Sequence, residues 1–346
     1  MNKKHEINPS QLRLALKTLE GGGVVAFPTE TVYGLGARID NVEGLKRIFS
    51  VKRRPFFDPL IVHVNSIAMA KSLSKSWNPI CDRLAEKFWP GPLTLVTEKQ
   101  PSVDEFISAG LGTVGLRWPK SDVAEALIAG SGVAIAAPSA NRFGKTSPTT
   151  AAHVYSEFGD DVMIIGGSES SVGIESTVLA VHGNTLTLLR PGFATKADIE
   201  TALSGFEFSW KDAEKLEGAQ AAPGQIKHHY MPDVPLVWVD SGEISLDKIA
   251  GILNEKNAEL PVEVEGVELK KPKQFHQGEE ILLPEDPVLA ARQLYASLRS
   301  ASEKNLRKDN DKKSDFLVFR YHPYMTGELW GALLERLTKA TSLKLP

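Results

Sequence analysis

The run VKRRPFFDPLIVH, from Val51 to His63, concentrates more chemistry than any other stretch of the chain. Lys52, Arg53 and Arg54 stand just before Pro55. A second proline, Pro59, opens a short apolar segment that carries His63. A guanidinium binds phosphate or carboxylate through paired hydrogen bonds, while an ammonium adds a point charge. Cations on a proline-bounded turn beside a buried strand suit a nucleotide together with a second anionic group. A solvated basic turn is the competing reading of the same residues.

Further polar groups fall at the ends of apolar runs, where open α/β sheets place ligands. Thr29, Glu30, Thr31 and Tyr33 occupy the turn PTETVYGLG after one such run. Arg117 ends another, and a buried Arg needs an anionic partner, either a structural carboxylate or that of a ligand. The segment APSAN, with Ala137, Ser139 and Asn141, is followed by GKTSP, which ends at Ser147-Pro148. Small residues there let a ligand approach the backbone, and hydroxyls and an amide can bind phosphate. Gly144-Lys145-Thr146 is not a P-loop, because Ala140 stands where the first glycine is required. GIEST at 173–177 opens a strand, and LRPG at 189–192 puts Arg190 at a hairpin end. His228 and His229 are adjacent and have no partner at zinc spacing, which argues against a metal centre. No G-x-S-x-G elbow occurs, which argues against a serine triad.

The elements that must position these residues alternate. Asn8-Pro9 starts a helix with Leu12, Leu16 and Leu19 on one face, and Gly21–Gly23 ends it. Strands are expected at 24–27, 59–64, 93–97, 114–117 and 133–137, and helices at 41–49, 122–129 and 149–158. Strands 176–181 and 185–190 flank the turn His182-Gly183-Asn184, a hairpin signal. Thr195 caps a further helix. Cys81, with Ile80, Leu84 and Phe88 at helical spacing, is expected in the core. Residues 208–235 are rich in Ala, Gly, Pro and charge and read as a linker. Beyond it, strands at 236–239, 281–283 and 316–320 alternate with helices at 287–299 and 328–340. The fold class is therefore α/β. An open twisted mixed sheet spans 1–207, the linker or lid 208–235, and a smaller Rossmann-like domain 236–346, although no G-x-G-x-x-G is present.

The 346 residues carry 40 Lys and Arg against 43 Asp and Glu, a net charge of −3, so any nucleic-acid groove must be local. One cysteine excludes an intrachain disulfide and a Cys-rich zinc site. No apolar run reaches the length of a membrane span, and the N-terminus lacks a signal-peptide core; a cytoplasmic protein is expected.

Taken together, FPTETVYGLG, KRRPFFDPLIVH, FWPGPLTLV, VGLRWP, APSANRFGKTSPT, GIESTV, LLRPG and APGQIKHHYMP resemble the YrdC/Sua5 family in its two-domain Sua5 form. The resemblance implies a threonylcarbamoyl-AMP synthase, which joins L-threonine, bicarbonate and ATP and releases pyrophosphate. The product would supply t6A in ANN-decoding tRNAs through separate transfer proteins. By the same resemblance Thr31, His63, Arg117, Ser176 and the backbone at Ala137 hold threonine. Lys52, Arg54, Asp58, Thr113, Ser139, Asn141, Ser147, Arg190 and Tyr230 hold ATP, with Lys52 and Arg54 catalytic. Mg2+ would accompany ATP without a protein motif of its own. Weak RNA binding through a positive groove, a carbamoyltransferase and a nucleotide-binding regulator are the rival readings. The family more often has Gly where Arg53 stands, Asn at Asp58 and Arg at His228.

Overall fold

The computed structural model describes residues 7–213, 229–241, 243–257, 263–264, 267–268, 272–304 and 314–346. Two compact units divide the chain. The first comprises 1–142 and 148–225, the second 143–147 and 226–346.

The first unit runs α1 (Pro9–Glu20), β1 (Val25–Phe27), β2 (Gly34–Arg38), α2 (Val42–Lys52), β3 (Ile61–His63), α3 (Ile67–Leu73) and α4 (Pro79–Phe88). It continues with β4 (Leu93–Glu98), α5 (Glu105–Ser108), β5 (Thr113–Arg117), α6 (Asp122–Ser131), β6 (Ile135–Ala136) and α7 (Ala151–Phe158). It closes with β7 (Met163–Ile164), β8 (Thr177–His182), β9 (Thr185–Arg190), α8 (Lys196–Ala202) and β10 (Ser209–Trp210). The strands form one mixed sheet in the order β10-β9-β8-β4-β5-β3-β6-β2-β1-β7. Helix starts are written in the sequence. Asn8, Asn41, Ser66, Asn78, Ser121, Thr150 and Thr195 each accept a backbone N–H of the first turn, a contact that stabilises a helix by about 1 kcal/mol.

Side chains alternate across the sheet and bury both faces. Val24 and Ala26 join the layer of α2, α4, α7 and α8, while Val25 and Phe27 pack with α1 and α6. Cys81 lies buried in the first layer, where burial pushes its thiol up to about 11.

β2 is a strand where a glycine-rich loop is expected. Gly36 is needed there because a Cβ would stand 2.6 Å from Ile135 and 2.7 Å from the Phe27 ring. β10 likewise occupies part of the stretch expected as linker, since Ser209 and Trp210 pair with Thr185 and Leu186. Residues 214–228 of that stretch, His228 included, lie outside the described residues.

α2 ends at Arg53, which caps it in the left-handed conformation with φ 52° and ψ 39°. An L side chain there costs roughly 1–2 kcal/mol, which glycine avoids at a smaller entropic cost. Arg53→Gly is therefore expected to raise the unfolding free energy by about 0.5–1 kcal/mol in urea melts. A loss of stability would refute the strain.

The second unit contains β11 (Leu236–Val239), α9 (Leu246–Glu255), β12 (Glu263–Val264), β13 (Val267–Glu268), β14 (Gly278–Glu280), α10 (Pro287–Lys304), β15 (Phe316–Arg320), α11 (Glu328–Ala340) and β16 (Leu343–Leu345). β14-β15-β11-β16 is a parallel sheet, and β12 pairs antiparallel with β13. The smaller Rossmann-like α/β arrangement expected for 236–346 is present as this parallel sheet with alternating helices. The strand expected at 281–283 lies earlier, at Gly278–Glu280. Only Ile281 continues toward β15, through its N–H to the Val318 carbonyl, and Leu282 is 77% exposed.

Candidate active site

Strand register assembles one row of the site. His63 on β3 is level with Arg117 on β5, and Leu116 with Leu95 on β4, which sets Arg117 beside Thr94. Thr94 is level with Val178 on β8, and Val178 with Arg190 on β9. One transverse row of the sheet therefore carries His63, Arg117, Thr94 and Arg190. Ser176, just before β8, joins the row through its hydroxyl. Its Oγ lies 2.8 Å from Thr94 Oγ1 and accepts from Arg190 Nη2 at 3.2 Å, and Arg190 Nε donates to the Ser176 carbonyl.

The PTETVYGLG and APSAN segments lie against each other. Ala140 N–H donates to the Tyr33 carbonyl and Leu35 N–H to the Pro138 carbonyl, while Ala137 N–H donates to Ile61 of β3. Lys52 joins them to α2. Its Nζ donates to the Ser139 carbonyl at 2.7 Å and to the Asn141 carbonyl. Lys52 is fully enclosed, and burial, with the charge of Arg54 next, pulls its ammonium well below the ordinary value.

Arg54 is fixed by Asp58. Its Nη2 lies 2.9 Å from the carboxylate, its Nε donates to the Asp58 carbonyl, and Nη2 also donates to the Pro59 carbonyl. Asp58 has no solvent exposure, and neither of its carboxylate oxygens has a hydrogen-bond partner. Burial raises its carboxyl above the ordinary range, against the pull of Arg54, Lys52 and Arg190. Three cations, two from the end of α2 and the turn after it and one from β9, thus act on one buried carboxylate. Thr113 lines a narrow cleft with Pro59 and Thr94.

Around Arg117, its Nε donates to the Gly91 carbonyl, and its Nη2 lies 2.8 Å from Glu30. The partner left open by the sequence is thus a carboxylate of the chain itself. His63 is 4% exposed, and its Nδ1 has no hydrogen-bond partner. Burial, with the charge of Arg117 second, lowers its imidazole to about 3. His63 is therefore a neutral ring near pH 7 and a weak base. Thr31 is fully buried. Thr29 donates its hydroxyl to the Val32 carbonyl at 2.6 Å, so the Thr31 hydroxyl, 2.9 Å away, donates to Thr29 and keeps its lone pairs open.

The His63 environment makes stability pH-dependent. The unfolded imidazole titrates near 6.5 and the folded one near 3. Between these values the unfolded chain binds one more proton, so stability falls as pH falls, by roughly 1.4 kcal/mol per unit. His63→Gln is expected to remove this contribution between pH 6.5 and 5, flattening the pH dependence by about 1.5–2 kcal/mol. Identical slopes in urea melts of parent and variant would contradict it.

Ser147 and Tyr230 belong to the second unit. Arg299 of α10 donates to the Thr146 and Ser147 carbonyls, and Met231 and Gly144 exchange backbone bonds with this segment. Tyr230, at φ 65°, stacks on Tyr295 at 5.6 Å and lies under the Arg336 guanidinium. The remaining residues expected in the site, Thr31, Lys52, Arg54, Asp58, His63, Thr113, Arg117, Ala137, Ser139, Asn141, Ser176 and Arg190, all lie in the first unit. Glu30, noted in the sequence only as one polar group of its turn, is the residue whose pairing was missed. A buried Arg that demands an anion was the available signal.

The Sua5/YciO/YrdC family model, described as telomere recombination, matches residues 17–192. A second model, the C-terminal domain of threonylcarbamoyl-AMP synthase, matches residues 194–342. The threonylcarbamoyl-AMP synthase of Pyrococcus abyssi is 37% identical over 300 residues, 86% of this chain and 87% of that protein. That of Bacillus subtilis is 40% identical over 231 residues, 66% of each chain. The crystal structure of P. abyssi Sua5 complexed with L-threonine superposes with a TM-score of 0.79 at 32% identity, covering 99% of this chain and 98% of that one. This chain belongs to the Sua5/YciO/YrdC family, in its two-domain Sua5 form.

Proposed function

We propose that this chain is a threonylcarbamoyl-AMP synthase that joins L-threonine, bicarbonate and ATP and releases pyrophosphate, a nucleotidyl transfer. The observation that carries the reading is that Lys52, Arg54 and Arg190 act on one buried carboxylate, and that Arg190 stands in the sheet row that brings Arg117 and His63 together. One end suits a triphosphate and the other an amino acid. The relative's complex with L-threonine supports an amino-acid substrate.

In the proposed reaction threonine's ammonium first gives up a proton, the free amine attacks bicarbonate, and water leaves as the carbamate forms. A carbamate oxygen then attacks the α-phosphorus, and pyrophosphate departs. No covalent enzyme intermediate is involved. Arg117 would hold the threonine carboxylate, with neutral His63 and Thr31 beside it. Arg54, Lys52 and Arg190 would take the phosphates and the charge that develops on the leaving group. Ser139 and Asn141, held by Lys52, would shape the nucleotide contact. Magnesium fits as a companion of ATP. Among the described residues no group of three or more His, Cys, Asp or Glu side chains could hold a metal ion, and Asp58 is already paired with Arg54. Phosphate oxygens and water would therefore be its ligands, and it would offset phosphate charge.

Separate transfer proteins would pass the threonylcarbamoyl group to ANN-decoding tRNA. A cytoplasmic setting goes with that role; among the described residues no helix is long and apolar enough to cross a membrane. The test is pyrophosphate release with ATP, threonine and bicarbonate omitted in turn. Release that needs all three supports the proposal, and release indifferent to threonine overturns it.

A further inference from the structure

Glu30 lies on the turn after β1 and Arg117 at the end of β5, so their pairing joins strands that three others separate in the sheet. Glu30 is 7% exposed and Arg117 4%. They meet at 2.8 Å as an ion pair, yet neither Glu30 oxygen nor Arg117 Nη2 has a hydrogen-bond partner. A buried pair that served only stability would be expected to align its hydrogen bonds, because desolvation of two charges is offset only by good geometry. Here the charges offset each other and Arg117 Nε donates to Gly91, while both Glu30 oxygens and Arg117 Nη2 keep their hydrogen-bonding capacity. The next residue, Thr31, keeps acceptor lone pairs open, and His63 beside Arg117 is neutral.

We propose that Glu30 is a specificity-determining and positioning residue of the amino-acid site. It holds the Arg117 guanidinium and makes the site take a zwitterion in preference to a simple carboxylate. Arg117 alone would attract any small carboxylate. With Glu30 beside it the pair offers no net charge, so a bare anion gains little from Arg117 and is repelled by Glu30. A zwitterion meets a cation for its carboxylate and an anion, with the Thr31 hydroxyl, for its ammonium. The selection matters because the ammonium nitrogen becomes the nucleophile. A hydroxy acid lodged there would be inert.

The inference rests on the proposed threonine reaction, and one probe separates the two. (R)-3-hydroxybutyrate is threonine without its ammonium and would bind as an inert competitor. In Glu30→Gln the threonine KM should rise about tenfold or more. Inhibition by 3-hydroxybutyrate should tighten by about tenfold, as expected when a nearby like charge is removed. A merely structural loss would weaken both ligands. If Glu30→Gln does not fold, Glu30→Asp serves. It keeps the charge, so the preference for threonine over 3-hydroxybutyrate should stay within about threefold of the parent while the threonine KM rises. Weakening of both ligands together in Glu30→Gln, or loss of the preference in Glu30→Asp, would overturn the inference. A parent enzyme without threonine-dependent pyrophosphate release would instead refute the underlying reaction.

Discussion

Arg117→Met is expected to lower threonine-dependent pyrophosphate release by about 100-fold or more and to destabilise the fold by about 3–5 kcal/mol. The two effects have separate causes. The first is the loss of the carboxylate anchor, seen as a rise in threonine KM. The second is Glu30, left as an uncompensated charge at 7% exposure with no hydrogen-bond partner. Adding Glu30→Gln to Arg117→Met should restore most of the stability and none of the activity, because the pair is coupled in folding while Arg117 alone meets the carboxylate. Urea melts and pyrophosphate release across the four proteins of the cycle check this. Activity that returns with stability would mean that Arg117 acts only in the scaffold.

The second large effect is expected at the phosphate end, where Arg54 and Asp58 change function in opposite directions. Arg54→Met should reduce pyrophosphate release by about 100-fold, since the lost contact is charge-assisted and enclosed. Asp58→Asn should instead tighten ATP binding by about tenfold. It removes a buried carboxylate that acts on Lys52, Arg54 and Arg190 and that phosphate would have to replace. The cost should fall on the unliganded fold, where the three cations would lose the buried carboxylate that they share. Isothermal titration with ATP and melts without it report the two sides. Weaker ATP binding in Asp58→Asn would show that Asp58 helps the nucleotide instead of competing with it.

Much of this architecture was legible in local chemistry. Asn8, Asn41 and Thr195 announce their helices because a cap is a contact within three residues. The β8–β9 hairpin turns at Gly183, which is left-handed as its sequence requires. β2 was not legible, because its glycines are set by the approach of Phe27 and Ile135, which are distant in the chain. The strand at Gly278–Glu280 was hidden for a related reason. Its pairing with β15 is decided by backbone register, while of the more apolar residues after it only Ile281 is buried and Leu282 is exposed. The helix α9 carries Ile249, Ala250 and Leu253 on a buried face behind a Ser245 cap, a pattern present in the sequence but overlooked.

The site divides the same way. Its cations could be singled out from residue type and resemblance. Their partners could not, since Glu30 and Arg117 come together only through strand order, and Lys52 reaches Ser139 and Asn141 through tertiary packing. Asp58 lies four residues from Arg54, but its burial and its exposure to a third cation from β9 depend on the whole sheet.

The central claim is that one enclosed set of cations brings an amino acid, bicarbonate and a triphosphate into reaction. Incubation of the chain with ATP, L-threonine and isotopically labelled bicarbonate, followed by mass spectrometry of the nucleotide products, tests it most directly. A single adenylate carrying threonine and the labelled carbon, formed in step with pyrophosphate, is the predicted result. A threonyl-adenylate without that carbon, or AMP alone, would contradict it.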